Sequence, residues 1–442
     1  MRVSCWGFAG NSRCRSSSAP TPGCGLVAGT IRHREGGRAD EGDGLGHHPD
    51  PDPDLSPGDP DHREPDRRPF GPGHRRSKSE SPRRRWGDAD DWAPDHQRPL
   101  DLSLEALQTA RQLGDKAALA YALDSRHVAI WGPDDLEERR SVADEMHRLG
   151  LELGDRDLQL AALAWLITDA LECQSIEVVD RYTDEHARLA DELHQPYYPW
   201  YTAVVQSTRA FMRGRFAETE QLAIDAWRYG ELSHGENARQ VYLFTVLNLR
   251  RESGELEDFL RGLEGFVEES PLPAWRSALA MAYAELDRER EALAQVSCFV
   301  AGSSGAVPRD SVWFATMAML AMTIVRFDAG EYAKPIYDLL VPFAERNAVV
   351  GGAVINLGPV SQFLGMLARV NGDLNRSIDH LADALERCSA QGAPPQEART
   401  RCEMARTLIA RDAGRDAKRA AVLLEEAKRT ARELGMVRLS PK

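Results

Sequence analysis

The sequence predicts an all-α protein, a helix-turn-helix solenoid of about eight units of roughly 40 residues that follows a disordered N-terminal tail. Three observations carry this. From about residue 100 apolar residues recur at the 3.6-residue spacing of amphipathic helices, broken only briefly at glycine, proline and aspartate. The breaks between paired helices centre on Gly132, roughly Cys173, Gly214, Gly254, Asp287, Gly330, Gly372 and Gly414, at steps of about 41, 41, 40, 33, 43, 42 and 42 residues. A period of that size marks stacked helical units, each of which buries its apolar face only against its neighbours. The third observation is an abrupt change of composition near Trp92.

Residues 1–98 hold almost half of the 25 prolines and six of the twelve histidines, but only nine Ile, Leu, Val, Met or Phe. Such a stretch has no face to bury, and burial cannot offset an ordering cost of about 1–2 kcal/mol per residue. Disorder is the expectation here. Crowded Pro, Arg, Gly, His and Asp is also what a GC-rich gene read out of frame produces, so a frameshifted or mis-started reading stands beside it. HHPDPDPD (47–54) reads as a solvated run in preference to a metal site, and RRSKSESPRRR (75–85) as a solvated charge run in preference to a basic arm. The expected division is a tail over 1–98, a solenoid over 99–436 and a short tail over 437–442.

The clearest unit is FLGMLARVNGDLNRSIDHLADAL (363–385). Its first helix carries Leu364 and Gly365, its turn is Gly372-Asp373, and its second helix carries Ser377, Ile378, Leu381 and Ala384. Gly365, Ser377 and Ala384 are small where two backbones must approach; the leucines and isoleucine supply the apolar stripe. AMAYAELDREREALA (280–294) repeats the pattern with Ala280, Tyr283, Asp287 and Ala292, and FMRGRFAETEQLAIDAW (211–227) with Gly214, Phe216, Ala223 and Ala226. These units resemble tetratricopeptide repeats with a longer period. The first helix, LSLEALQTARQLG (102–114), is of the second-helix type without a partner, and the amphipathic KRAAVLLEEAKRTARELGM (418–436) is followed by only six residues, so both ends read as cut.

Charge and motifs exclude several functions. The chain of 442 residues has a net charge of −14, all of it outside the neutral 1–98 stretch, and an acidic body disfavours direct nucleic-acid binding. The longest apolar stretch, WFATMAMLAMTIV (313–325), is shorter than the ~20 residues of a membrane span, and no signal peptide is evident, so a cytoplasmic location is expected. The seven cysteines form no CxxC pair and read as free thiols. His186 and His194 share a helix face but lack a third ligand and read as a surface pair. The patch Tyr197, Tyr198, Trp200 and Tyr201 is expected to pack between repeats. No lysine follows a glycine, so no GxxxxGK[ST] loop exists, and HExxH, GxSxG and GxGxxG are absent. No cofactor is implied.

The segments SLEALQTARQLGD, AIWGPDDLEERRSVADEM, LPAWRSALAMAYAEL, GPVSQFLGMLARVNGD and ARTRCEMARTLIARD resemble the C-terminal helical-repeat region of large actinobacterial signalling ATPases, over roughly 92–436. In that family the repeats follow a P-loop ATPase module, with a nucleotide-cyclase domain in front in some members and a LuxR-type helix-turn-helix behind in others. The resemblance implies a non-catalytic protein-interaction or ligand-sensing domain of a signalling or transcription-regulating system, a fragment of a larger regulator. The alternative is part of an enzyme, a cyclase or ATPase whose catalytic domains lie upstream.

Repeat solenoids of this kind bind along the concave face. A protein or peptide, or a small effector, is therefore expected against residues at the starts of first helices: Trp275 with Arg276, Arg309 and Asp310 with Trp313, and Arg346 with Asn347 before the glycine-bearing loop VVGGAVINLGP (349–359). Arginine beside tryptophan forms a cation–π platform for an acidic ligand. The bland alternative has these arginines pairing with acids and these tryptophans filling gaps between repeats.

Overall fold

A computed structural model describes residues 97–439 apart from 174, 194, 196, 232, 271 and 301–306. The runs expected to be disordered, metal-binding or basic in 1–98 fall outside the described residues, except for the start of the first helix. That helix, α1 (Gln97–Leu113), precedes eight helix pairs: α2 (Lys116–Ala129) with α3 (Leu136–Leu153), α4 (Arg156–Glu172) with α5 (Ile176–Leu193), α6 (Tyr197–Met212) with α7 (Phe216–Gly230) and α8 (Glu236–Ser253) with α9 (Leu256–Glu269). The remaining four are α10 (Pro273–Glu285) with α11 (Glu289–Val300), α12 (Trp313–Arg326) with α13 (Gly330–Leu340), α14 (Val360–Val370) with α15 (Leu374–Ala390), and α16 (Pro394–Arg411) with α17 (Asp416–Leu434). Every expected turn falls at or beside the junction of one pair, so the fold is the all-α, tetratricopeptide-like solenoid that the period predicts.

Local chemistry explains the turns. Gly254 and Gly372 adopt φ of 79° and 82°, a left-handed conformation that lets the chain reverse. Asp287 does the same at φ 59°, which is why aspartate stands where other units have glycine. Within α14 and α15 the close approach is real: a Cβ on Gly365 would lie 2.5 Å from Leu381 Cγ and 3.0 Å from the Ser377 carbonyl oxygen. Ser377 and Ala384 are fully buried beside it.

First and second helices divide the burial. The first helices α4, α10, α12 and α14 are buried nearly all round, whereas α5, α9 and α15 bury one stripe and turn the other face to solvent. The apolar run 313–325 lies within α12, among the most buried elements, and no helix of the described residues is long and apolar enough to cross a membrane. At the start, α1 buries Leu107 and Ala110 against α2, while Leu102, Leu113 and Tyr121 stay exposed.

Two features depart from a plain helical array. Between α13 and α14 the chain forms an antiparallel hairpin, β1 (Asn347–Val350) with β2 (Ile355–Pro359), every residue of both strands buried. It occupies the segment expected to be a loop. Thr208 Oγ1 of α6 donates toward the carbonyls of Ala353 (2.7 Å) and Val354 (2.6 Å) at the hairpin tip. The second departure is closure. The α2–α3 turn meets the segment before α12 so tightly that a Cβ on Gly132 would lie 2.3 Å from the Arg309 carbonyl oxygen. Far along the chain, Leu434 of α17 covers Gly214 in the α6–α7 turn.

The aromatic patch packs as expected, with Tyr198, Trp200 and Tyr201 buried. His186 is a correction: it is 2% exposed and not part of a surface pair, because the face of α5 that carries it packs on α6. Its Nδ1 shares a hydrogen bond with the Thr202 hydroxyl at 2.9 Å, its ring meets Tyr201 edge-on, and burial pushes its pKa down to about 3. His194 lies outside the described residues.

Two outcomes follow. Gly365→Ala should cost about 1–3 kcal/mol in urea unfolding, since Leu381 and the α15 backbone must give way. An unchanged midpoint would show that the two helices are not locked at this contact. His186 binds its proton only in the unfolded chain over most of the acid range, since a free imidazole titrates near 6.5. Its contribution is therefore complete above about pH 6.5 and is lost as pH falls toward about 3. His186→Asn should flatten the stability–pH slope in that window, measured by chemical denaturation at stepped pH.

Candidate functional site

The sequence-singled residues fall into two separate places. Trp275 is 2% exposed; its indole donates to Gln240 Oε1 at 3.3 Å and packs on Phe244 and Phe266. Arg276 beside it donates to Gln295 Oε1 at 2.7 Å. The other two clusters converge. The Arg309 guanidinium lies over Trp313 (4.7 Å) and Phe343 (5.5 Å), and Arg346 lies over Phe343 (5.2 Å). The cation–π platform exists, but the chain supplies its anions. Arg309 forms a bidentate pair with Asp134, both contacts at 2.6 Å, and Arg346 donates to the Pro133 carbonyl (2.6 Å) and to Glu172 (2.9 Å). The buried Asn347 amide donates to the Leu171 carbonyl at 2.7 Å and to Gln391 Oε1 at 3.0 Å. Asp310 accepts from the Val312 amide at 3.1 Å; burial pushes its carboxyl up to about 6, with the amide opposing that shift.

Behind this seam a buried charge network continues: Glu172 takes Arg139 at 2.7 Å, Arg139 meets Asp169 at 3.3 Å, and His127 pairs with Asp169 at 3.0 Å. Arg309 and Asp134 are 39% and 51% exposed, so their pair contributes at most about 1 kcal/mol. The closure therefore depends on Arg346, Asn347 and the packed hairpin. What these residues do in the structure is join the early units to the sixth.

A different place offers room. A cavity of about 840 Å³ opens where the carboxy-terminal ends of α8, α10, α12 and α14 face α16 and the Val437–Leu439 turn. Arg251, Arg326, Arg369, Arg399, Arg406 and Arg438 line it. Arginine in the last turn of a helix is favoured by the negative end of the helix dipole, which accounts for Arg251, Arg326 and Arg369. Met281, Met322, Met366, Leu286, Val325 and Leu357 form its apolar wall.

Acidic residues answer the arginines, incompletely. Arg251 pairs with Glu285 at 2.6 Å, Arg399 with Glu252, and Arg326 with Asp287. Arg369 (2.9 Å) and Arg406 share the single carboxylate of Glu403. Arg438 donates to the Glu285 carbonyl oxygen, at the end of α10. Burial alone would raise the Glu285 carboxyl, but the charges of Arg251, Arg399 and Arg438 outweigh it and hold the group below its ordinary range. The lining carries six guanidinium groups and four carboxylates, Glu285, Asp287, Asp328 and Glu403, with Glu252 behind it on Arg399; Arg369 and Arg406 have only Glu403 between them. There the buried Nε of Arg369 has no hydrogen-bond partner.

Sequence reading missed this set. A signal was present: Arg251, Arg326 and Arg369 each stand three or four residues before Gly254, Gly330 and Gly372, within the repeat period. Arg399, Arg406 and Arg438 carry no such mark, because folding alone brings them there. Among the described residues, no three His, Cys, Asp or Glu side chains could together hold a metal ion.

No protein-family profile matches the chain, and no curated protein does. Among solved structures it is similar to the crystallised APC/C hetero-tetramer Cut9–Hcn1, at 14% identity over 76% of this chain and 75% of that one, with a TM-score of 0.33. It is also similar to BtubC from P. vanneervenii, at 14% identity over 79% and 96% of the two chains, with a TM-score of 0.17. Both likenesses are distant, and the assignment to tetratricopeptide-like solenoids rests on the eight helix pairs themselves.

The Arg399–Glu252 pair tests how the cavity is held. Arg399→Met should cost about 3–5 kcal/mol in urea unfolding, because it leaves the Glu252 carboxylate buried and unpaired. The double change Arg399→Met with Glu252→Met should recover most of that loss.

Proposed function

We propose that this chain is a non-catalytic binding domain that takes an anionic partner or effector into the arginine-lined cavity. The observation that carries the reading is the cavity's concentration of guanidinium groups, with a surplus of positive charge, in a body whose net charge is −14. Guanidinium groups stay protonated across the physiological range, so they hold anions but do not exchange protons. Glu285 is likewise fixed as a carboxylate by its arginine neighbours. Such groups favour recognition over general acid–base chemistry. The partner class is a protein or peptide, or a small effector, consistent with helical repeats that present long inner surfaces.

The wider context proposed is a cytoplasmic signalling or transcription-regulating system, with residues 99–436 as the sensing part of a larger ATPase regulator. Its support is the resemblance of 92–436 to the repeat regions of such regulators. The sequence-singled Arg309, Trp313, Arg346 and Asn347 then act as the seam that keeps the units in register around the cavity.

The test is retention of acidic, neutral and basic peptides on the immobilised full chain at about 0.05 M salt and again at about 0.3 M. Acidic peptides should be retained selectively, weaken at least tenfold at the higher salt, and be lost from Arg326→Glu/Arg406→Glu. Equal retention of all three classes would overturn the reading.

A further inference from the structure

We propose that the cavity is a small-molecule site for an amphipathic organic anion: one carboxylate or phosphate head between Arg369 and Arg406, and an apolar body against Met281, Met322 and Met366. This deepens, and rests on, the reading of the cavity as an anion site.

The head-group position follows from charge and hydrogen bonding. Arg369 and Arg406 both bind Glu403, so this corner has two cations for one carboxylate. The buried Arg369 Nε donates to nothing. Arg406 is 52% exposed at its side chain, so it can turn toward a ligand entering from solvent while Arg369 keeps the buried Glu403 paired.

The apolar body follows from the uncharged part of the lining. Three methionines line it together with Leu286, Val325 and Leu357. Unbranched thioether side chains adapt to a ligand's shape, and apolar lining gives a purely ionic guest nothing to bind. A volume of about 840 Å³ lies inside the range of about 300–1,000 Å³ typical of small-molecule sites. The Val437–Leu439 turn closes one side: Val437 packs at Gly254, Arg438 is bonded to the end of α10, and Leu439 lies over Cys402. That wall suits a compact molecule better than a continuous polypeptide.

The experiment is calorimetric titration of the full chain at low salt with octanoate, octyl phosphate, octanol and inorganic phosphate. Octanoate or octyl phosphate should bind at least tenfold more tightly than octanol and inorganic phosphate, and the tighter of the two names the head group. Arg406→Gln and, separately, Arg369→Gln should each weaken that binding at least tenfold. Arg406→Gln should leave the urea midpoint unchanged, which separates loss of the site from loss of the fold. Bound ligand should also slow alkylation of Cys402, read by peptide mass. The proposal is overturned if the amphipathic anions bind no better than octanol, or if binding ignores both substitutions. Retention of acidic peptides with no binding of either anion would overturn it too, while leaving the broader anion-site reading in place.

Discussion

The constraint on which the rest of this structure depends is the apolar character of the first helices. Helices such as α10, α12 and α14 are buried on nearly every side, so one partner helix cannot cover them. Each must be covered by its own second helix, by the first helices of adjacent units and by something on the inner side. At about 25 cal/mol per Å² of apolar surface, leaving the inner side open would cost far more than a few hydrogen bonds could return. The chain meets the need by folding its 347–359 hairpin inward and by bringing α16, α17 and the Val437–Leu439 turn across the middle units.

Covering the inside with backbone has an electrostatic consequence. Hairpin carbonyls, helix ends and loop carbonyls all enter low-dielectric surroundings and need donors. Asn347, Thr208 and Arg346 supply them at the seam, and Arg438 supplies one at α10. Arginine suits the task because one fixed fork can satisfy a carboxylate and a carbonyl together. The same chemistry, repeated at the ends of α8, α12 and α14, leaves the cavity with more guanidinium groups than nearby acids can neutralise. The binding surface thus grows out of the groups that stabilise the fold.

Legibility in the sequence divides along the line between local and distant chemistry. The eight turns were readable because a left-handed Gly372 or Asp287 and the 3.6-residue stripes on either side are local signals. Gly365 facing Ser377 was readable for the same reason. The inward hairpin was not: VVGGAVINLGP carries glycines and apolar residues alike, and only the uncovered first helices decide that it is buried and paired. Arg309 and Trp313 were found as a pair, yet the acid that answers Arg309 stands 175 residues away at Asp134, beyond any pattern of spacing. His186 was misread because helix periodicity says which residues share a face but not whether that face meets solvent.

The seam that joins Pro133, Leu171 and Glu172 to Arg346 and Asn347 changes how this array can fold and evolve. In an open solenoid each unit contacts only its neighbours, so units form one after another and can be added or deleted singly. Here the second unit is tied to a segment more than 170 residues later in the chain, and that tie carries a large loop-closure entropy. The middle units are thereby committed to one number: a unit inserted between α4 and α12 would move Asn347 away from Leu171. Cooperativity is expected to extend across the units that this contact ties together, and their number is set by the contact itself.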